Sequence, residues 1–281
     1  NLTSNTGSGS VSSASASSLK FQDNTMDSIS LKDSSLSRNE KGGSLSSEHI
    51  DLSGLQTSMG TIASATASQA NLSMTNNHIS SSLDSVSAQD IAALGGTLKS
   101  ATASGLSGSL NLNQSDASMS LGDGRFSVQE AQAANGNTDV GAFDSVHLSG
   151  IEGSKKADTL SASLNRFDLA GGRLHNMGQA EQISASNLEY RNTAGRHSAT
   201  MEHMNATNIS EDTFGGTVAS AALNEVHLDG SGITDFHGGV RSGQIQDAQL
   251  QGASIDAGVT ENGSFSRPGD FGKANLSPNS F

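Results

Sequence analysis

In GTVASAALNEVHLDGSGITDFHGGVRSGQIQDAQLQGASI, residues 216–255, large apolar side chains stand five positions apart. Val218, Leu223, Leu228 and Ile233 keep the step, and after a two-residue slip Val240, Ile245, Leu250 and Ile255 resume it. Working outward, Phe21, Met26, Leu31 and Leu36 show the same step, followed by Leu45, Ile50 and Leu55. Shorter pieces lie between: Met74 and Ile79, Phe143 and Leu148, Leu164 with Leu169 and Leu174, Ile183 with Leu188, and Met204 with Ile209 and Phe214. An α-helix repeats every 3.6 residues and a flat strand every two, so neither gives this step. A coil of square section does, if every fifth residue turns inward at a new side. The spacing predicts an all-β protein, a right-handed parallel β-solenoid (β-helix) with short coils of about 20 residues.

A second inward position sits two residues before the first, because alternate residues of an extended segment share a side. It is often small, as in Gly216 before Val218, Ala221 before Leu223, Gly243 before Ile245 and Ala248 before Leu250. Elsewhere it is large: Leu19 with Phe21, Ile29 with Leu31, Leu110 with Leu112, Val146 with Leu148, Phe167 with Leu169. The expected interior therefore holds Leu31, Leu55, Ile79, Leu148, Leu169, Leu188, Ile209, Val218, Leu223, Leu228, Ile233, Ile245, Leu250 and Ile255.

Composition suits a narrow interior. Of 281 residues 33% are hydrophobic, with no Trp, one Tyr (Tyr190), two Pro (Pro268 and Pro278) and 32 Gly. A wide globular core normally uses bulky aromatics, whereas stacked repeats fill theirs with small and medium side chains. Richness in Ser and Gly with a net charge of −13 also fits disorder. Regular apolar spacing, scarce Pro and only 15% charged residues oppose that.

The best local matches to a five-residue motif are Ala70-Asn71-Leu72, Ser186-Asn187-Leu188, and Ala248-Gln249-Leu250-Gln251-Gly252 followed by Ala253-Ser254-Ile255. On these the chain resembles a degenerate pentapeptide-repeat protein. Positions Ala222, His227, Gln244 and Ser254 depart from the Asp or Asn of that consensus. Residues 83–140 lack the step and alternate instead, which resembles the parallel β-helix of secreted bacterial adhesins. Residues 1–14 read as a loose lead-in, 15–260 as the solenoid, and 261–281 as a cap or linker. Glycine pairs such as Gly42-Gly43 and Gly171-Gly172 read as corners, and Arg38–Lys41 and Glu152–Lys156 as loops. One short helix is expected over Asp84–Leu94.

No apolar run approaches the ~18 residues of a membrane span. The start at Asn1 fits a processed chain or part of a larger one. Without Cys there are no disulfides or thiolate metal sites. An acidic balance with 15 thinly spread basic residues argues against nucleic acid as a partner. His147 and His227 share a Val-His-Leu context, each as the outward residue, and read as solvent-exposed side chains rather than metal ligands. Asp144, Asp168, Asp229 and Asp235 stand singly, and the aromatic platforms that sugar-active enzymes use are missing. No catalytic, cofactor-binding or metal residue is assigned, and no cofactor.

Three functions follow in order. The first is a non-enzymatic structural or adhesive rod, part of a larger bacterial secreted or surface protein, whose Ser/Thr/Asn wall meets a protein or glycan. The resemblance implies the second, a cytoplasmic DNA mimic acting on a topoisomerase. The third is a polysaccharide-active β-helix enzyme.

Overall fold

The computed structural model describes residues 6–75, 77–93, 95–115, 118–175, 178–210, 216–231, 240–255 and 269–276. Among them are fourteen strands and no helix: β1 (Gly7–Phe21), β2 (Asn24–Asn39), β3 (Gly42–Thr57), β4 (Gly60–Thr75), β5 (His78–Ala93), β6 (Gly96–Ser115), β7 (Ser118–Thr138), β8 (Gly141–Lys156), β9 (Thr159–Leu174), β10 (Gly178–Thr193), β11 (Arg196–Ser210), β12 (Gly216–Ser231), β13 (Val240–Ile255) and β14 (Gly269–Leu276). They belong to two compact units, one of Asn1–Ala133 with Gly150–Asp158, the other of Ala134–Ser149 with Thr159–Phe281.

The all-β expectation holds. The parallel coil does not: the ladders joining β1 to β6, and those joining β9 to β14, are antiparallel between chain neighbours. At the described two-residue turns, 22–23, 40–41, 58–59, 139–140, 157–158 and 194–195, the chain turns back through a tight hairpin instead of winding on. The physical reason is at the turns. Asn39 Oδ1 accepts the N–H groups of Lys41 (2.8 Å) and Gly42 (3.1 Å), and Thr138 Oγ1 accepts those of Val140 (3.3 Å) and Gly141 (3.2 Å). At the β10–β11 turn Ala194 (φ 50°) and Gly195 (φ 82°) are both left-handed, the two-residue geometry whose twist matches a hairpin. Glu40-Lys41 is one of these turns, while Glu152–Lys156 is the end of β8 and Asp84–Ala93 lies in β5, so the expected loop and helix there are strand. β1 begins at Gly7, within the expected lead-in, and β14 lies within the expected tail.

The five-residue step nevertheless has a structural cause. Leu31 lies opposite Ile50, Ile50 opposite Ala67, Ala67 opposite Val86, and Val86 opposite Ala103. Ile29, Leu52, Ala65, Ala88 and Ala101 form the next row, and Leu36, Leu45 and Leu72 another. Opposed residues share a face. Along β2 this face is therefore met at Met26, Ile29, Leu31, Ser34 and Leu36, at alternating intervals of three and two. Two plus three gives the step of five.

The intervals of three fall where the strands crease. Asp33 (φ 46°), Gln69 (φ 50°) and Gly105 (φ 59°) are left-handed in mid-strand, and the register sets them in one line with Glu48 and Asp84 between them. Ser18 (φ 54°), Gly54 (φ 60°) and Asp90 (φ 49°) form a second line with Asp27 and Ala63 between them and Lys99 at its end. The other unit repeats the device: Asn187 (φ 51°) stands beside Glu202, and Gly171 (φ 64°) and Asn208 (φ 48°) flank Glu181. In each line a left-handed residue faces one that is not. Only one strand of each pair needs the rare conformation, which Asn, Asp and Gly adopt most readily.

Leu148, Leu169, Leu188 and Ile209 were expected inside with Leu31, Leu55 and Ile79, and all are half-buried rather than buried. The sheet has an apolar face instead of an enclosed column. Among the described residues the buried apolar side chains are Ala180, Ala185 and Ala206, and no large one is fully enclosed. Ile233 lies outside the described residues, as do the side chains of Val218, Leu223, Leu228, Ile245, Leu250 and Ile255.

Candidate interaction surface

The first unit offers two faces of opposite chemistry. Its apolar face holds a trough of about 580 Å³ lined by Leu31, Ile50 and Ala67 on one side of the Asp33–Gly105 crease, and by Leu45, Leu72, Leu83, Leu106, Phe126 and Val128 on the other. Both flanks open on one hollow, so the crease folds the apolar face inward there. Leu36 (60% exposed), Phe126 (53%) and Leu45 and Leu72 (46% each) remain open to solvent. At the trough's centre Ser34 donates to Ser47 Oγ (2.8 Å), and Ser47 reaches the carbonyls of Lys32 (3.2 Å) and His49 (3.1 Å). The two hydroxyls, both buried, are thereby satisfied within the sheet.

The other face is a lattice of hydroxyls. Ser28 bonds Ser53, Ser35 bonds Ser46, Ser37 bonds Ser44, Ser68 bonds Ser85 and Ser73 bonds Ser80, each at 2.7 Å. Thr66 bonds Ser87 and Ser107 bonds Ser127, both at 2.8 Å. These cross-strand pairs tie neighbouring strands together. Each bond also occupies one of the pair's two O–H donors, so half of the donors in these pairs are used within the sheet. A smaller hollow of about 280 Å³ on this side is lined by Thr66, Ser85, Ser87, Thr102, Ser104, Glu130 and Gln132.

Acids gather on the crease lines but do not run continuously. Gln69 and Gly105 interrupt Asp33, Glu48 and Asp84, and in the other line Lys99 Nζ meets Asp90 Oδ1 at 2.6 Å. In the second unit Asp168 takes the Arg166 fork, Nε at 2.5 Å and Nη2 at 3.1 Å, with His147 Nδ1 at 3.8 Å. That bond, reinforced by the carboxylate's charge, raises the pKa of the exposed Arg166 guanidinium. His147 is 36% exposed and its Nε2 is buried without a hydrogen bond, so it is half-buried where full exposure was expected. The side chain of His227 lies outside the described residues, as do those of Asp229 and Asp235. Among the described residues no three His, Asp or Glu side chains gather as a metal site.

One contact went unread in the sequence. Tyr190 Oη and His197 Nδ1 lie 2.6 Å apart with their rings stacked at 5.9 Å between centroids. The hairpin at Ala194-Gly195 brings them together across adjacent strands. Asn-Thr-Ala-Gly at 192–195 is the signal that announces it.

No protein-family model matches the chain, and no characterised protein or solved structure does. No helix among the described residues is long and apolar enough to cross a membrane.

Proposed function

We propose that the chain is a non-enzymatic structural or adhesive module that works by presenting surfaces, within a larger bacterial secreted or cell-surface protein. The observation that supports this reading is the contrast between the faces. In the hydroxyl pairs half of the donors are used within the sheet, while Leu36, Leu45, Leu72 and Phe126 stand uncovered around an apolar trough. The apolar face is then the adhesive one, and the hydroxyl face keeps the other side wetted without strong charge. Burial of apolar area supplies the attraction, at about 25 cal/mol per Å².

Adsorption to methyl-terminated and hydroxyl-terminated monolayers, followed by quartz-crystal microbalance, tests the reading. Binding is expected on the methyl surface and is lost in Leu45→Asp/Leu72→Asp, whose circular dichroism stays unchanged because both positions are exposed. Equal adsorption by that variant returns the contact to the hydroxyl face. Release of reducing ends from a polysaccharide panel would overturn the non-enzymatic assignment.

A further inference from the structure

The sequence of β1 is self-complementary. Val11-Ser12-Ser13-Ala14-Ser15-Ala16-Ser17-Ser18-Leu19 reads the same in both directions around Ser15, with Val11 and Leu19 as equivalent ends. β1 has one described ladder, to β2, and nearly all its residues are exposed. It carries no Pro and no acid, and Lys20 is its single charge. Apart from Lys20 near its end, it lacks the charges and prolines that normally discourage pairing at a sheet edge.

We propose that the free edge of β1 is a symmetric docking site for β1 of a second copy of this chain. The reading does not rest on the adhesive role. In the antiparallel register centred on Ser15, Ala14 meets Ala16 of the second copy, and Val11 meets Leu19. Both pairs lie on the apolar face, since Ala14 and Ala16 oppose Leu31 and Ile29 within the chain. On the other face Ser15 meets its own equivalent and Ser13 meets Ser17. These would be Ser–Ser pairs of the kind that join β2 to β3 and β4 to β5 at 2.7 Å.

The creases select this register. Within the chain, left-handed Ser18 opposes Asp27, and Ser12 opposes left-handed Asp33. The symmetric pair sets Ser18 opposite Ser12 of the second copy at both ends. Each crease line continues across the seam with one left-handed residue against one that is not, as in the chain itself. Shifting the register by one residue breaks the crease match, and it also sets apolar against polar positions. Lys20 falls opposite Ser10, so the two lysines do not meet. A two-fold axis through Ser15 gives a closed dimer whose faces are identical.

Cysteine trapping is clean because the chain has no Cys. Under mild oxidation Ser15→Cys is expected to form a covalent dimer at least about tenfold faster than Ser10→Cys, because only the former meets its equivalent across the axis. Sedimentation equilibrium supplies the second measurement. Ser13→Glu/Ser17→Glu, which faces carboxylates across both seam pairs, should weaken the dimer about tenfold or more, whereas Ser13→Glu/Ser17→Lys should preserve it. The two variants load β1 equally, so their comparison separates pairing from folding. A wild-type chain that stays monomeric at every concentration overturns the proposal. So does a dimer that tolerates both variants alike and shows no preference for the Ser15→Cys cross-link.

Discussion

The two units use the same creased strands but cover their apolar faces differently. In the second, small residues sit beside large ones: Ala185 opposes Phe167 and Met204, Ala206 opposes Ile183, and a Cβ on Gly172 would meet Leu169. The large side chains lie across their small neighbours, and Ala180, Ala185 and Ala206 end at 8% exposure. In the first unit Leu36, Leu45 and Leu72 are successive members of one row. Three leucines side by side cannot lie down on each other, so they stand as the wall of a trough. Alternating sizes close the second unit's face around Ala180, Ala185 and Ala206, although Leu160 (48%) and Leu174 (54%) near its strand ends stay exposed, whereas repeating one size leaves the first unit's row open.

The sharpest way to break the comparison is to place a charge in each unit. Ala185→Asp buries a carboxylate without a partner and should cost about 3 kcal/mol or more. Leu45→Asp, at a half-exposed position of the first unit, should cost about 1 kcal/mol. Urea unfolding followed by circular dichroism measures both. Equal losses would show that the first unit's face is as closed as the second's.

Much of this was legible in the sequence, though under the wrong topology. The inward positions Leu31, Leu55, Leu148 and Leu169 fall on the apolar face because a creased strand and one side of a square coil share the same two-plus-three spacing. What the spacing cannot decide is whether the chain then winds on or turns back. That information sits in the turns. Asn39 and Gly42, Thr57 and Gly60, and Thr138 and Gly141 each bracket two residues, with Gly42, Gly60 and Gly96 separated by multiples of eighteen. These glycines open strands rather than cornering coils. The trough was less legible, because it depends on which leucines become neighbours across hairpins.

The creases offer the next test. In the second unit Asn187 and Asn208 combine tolerance of positive φ with hydrogen bonds from Nδ2 to Glu202 and Glu181. The first unit uses Gln69, a side chain less suited to that conformation. Asn187→Ala should lose about 1–2 kcal/mol, through both the strained backbone and the lost bond. Gln69→Gly should gain about 0.5–1 kcal/mol by relieving strain, less the entropy glycine adds to the unfolded chain. A loss at Gln69→Gly would mean that its side chain supports the crease as the asparagines do.

The hydroxyl pair inside the trough should respond more weakly. Ser34→Ala removes one donor, but Ser47 keeps its bonds to the carbonyls of Lys32 and His49. The expected cost is about 1 kcal/mol. Ser34→Val adds apolar volume at the same point. If the trough has the space that its 580 Å³ describes, that variant should recover part of the loss in the same unfolding assay.

The smallest effect is expected at His147. Its imidazole lies between inward Val146 and Leu148 on the polar side, with Nδ1 3.8 Å from an Asp168 carboxylate already held by the Arg166 fork. Removing the ring leaves Asp168 its better partner. It also removes a buried Nε2 that has no hydrogen bond, an atom whose loss of hydration otherwise counts against the fold. The lost contact and the relieved desolvation have opposite signs and similar size. His147→Ala should therefore change stability by less than about 0.5 kcal/mol in urea unfolding at neutral pH. A loss several times larger would assign His147 a structural bond through Nε2, and would make the polar side of the second unit as tightly coupled as its alanine-lined apolar face.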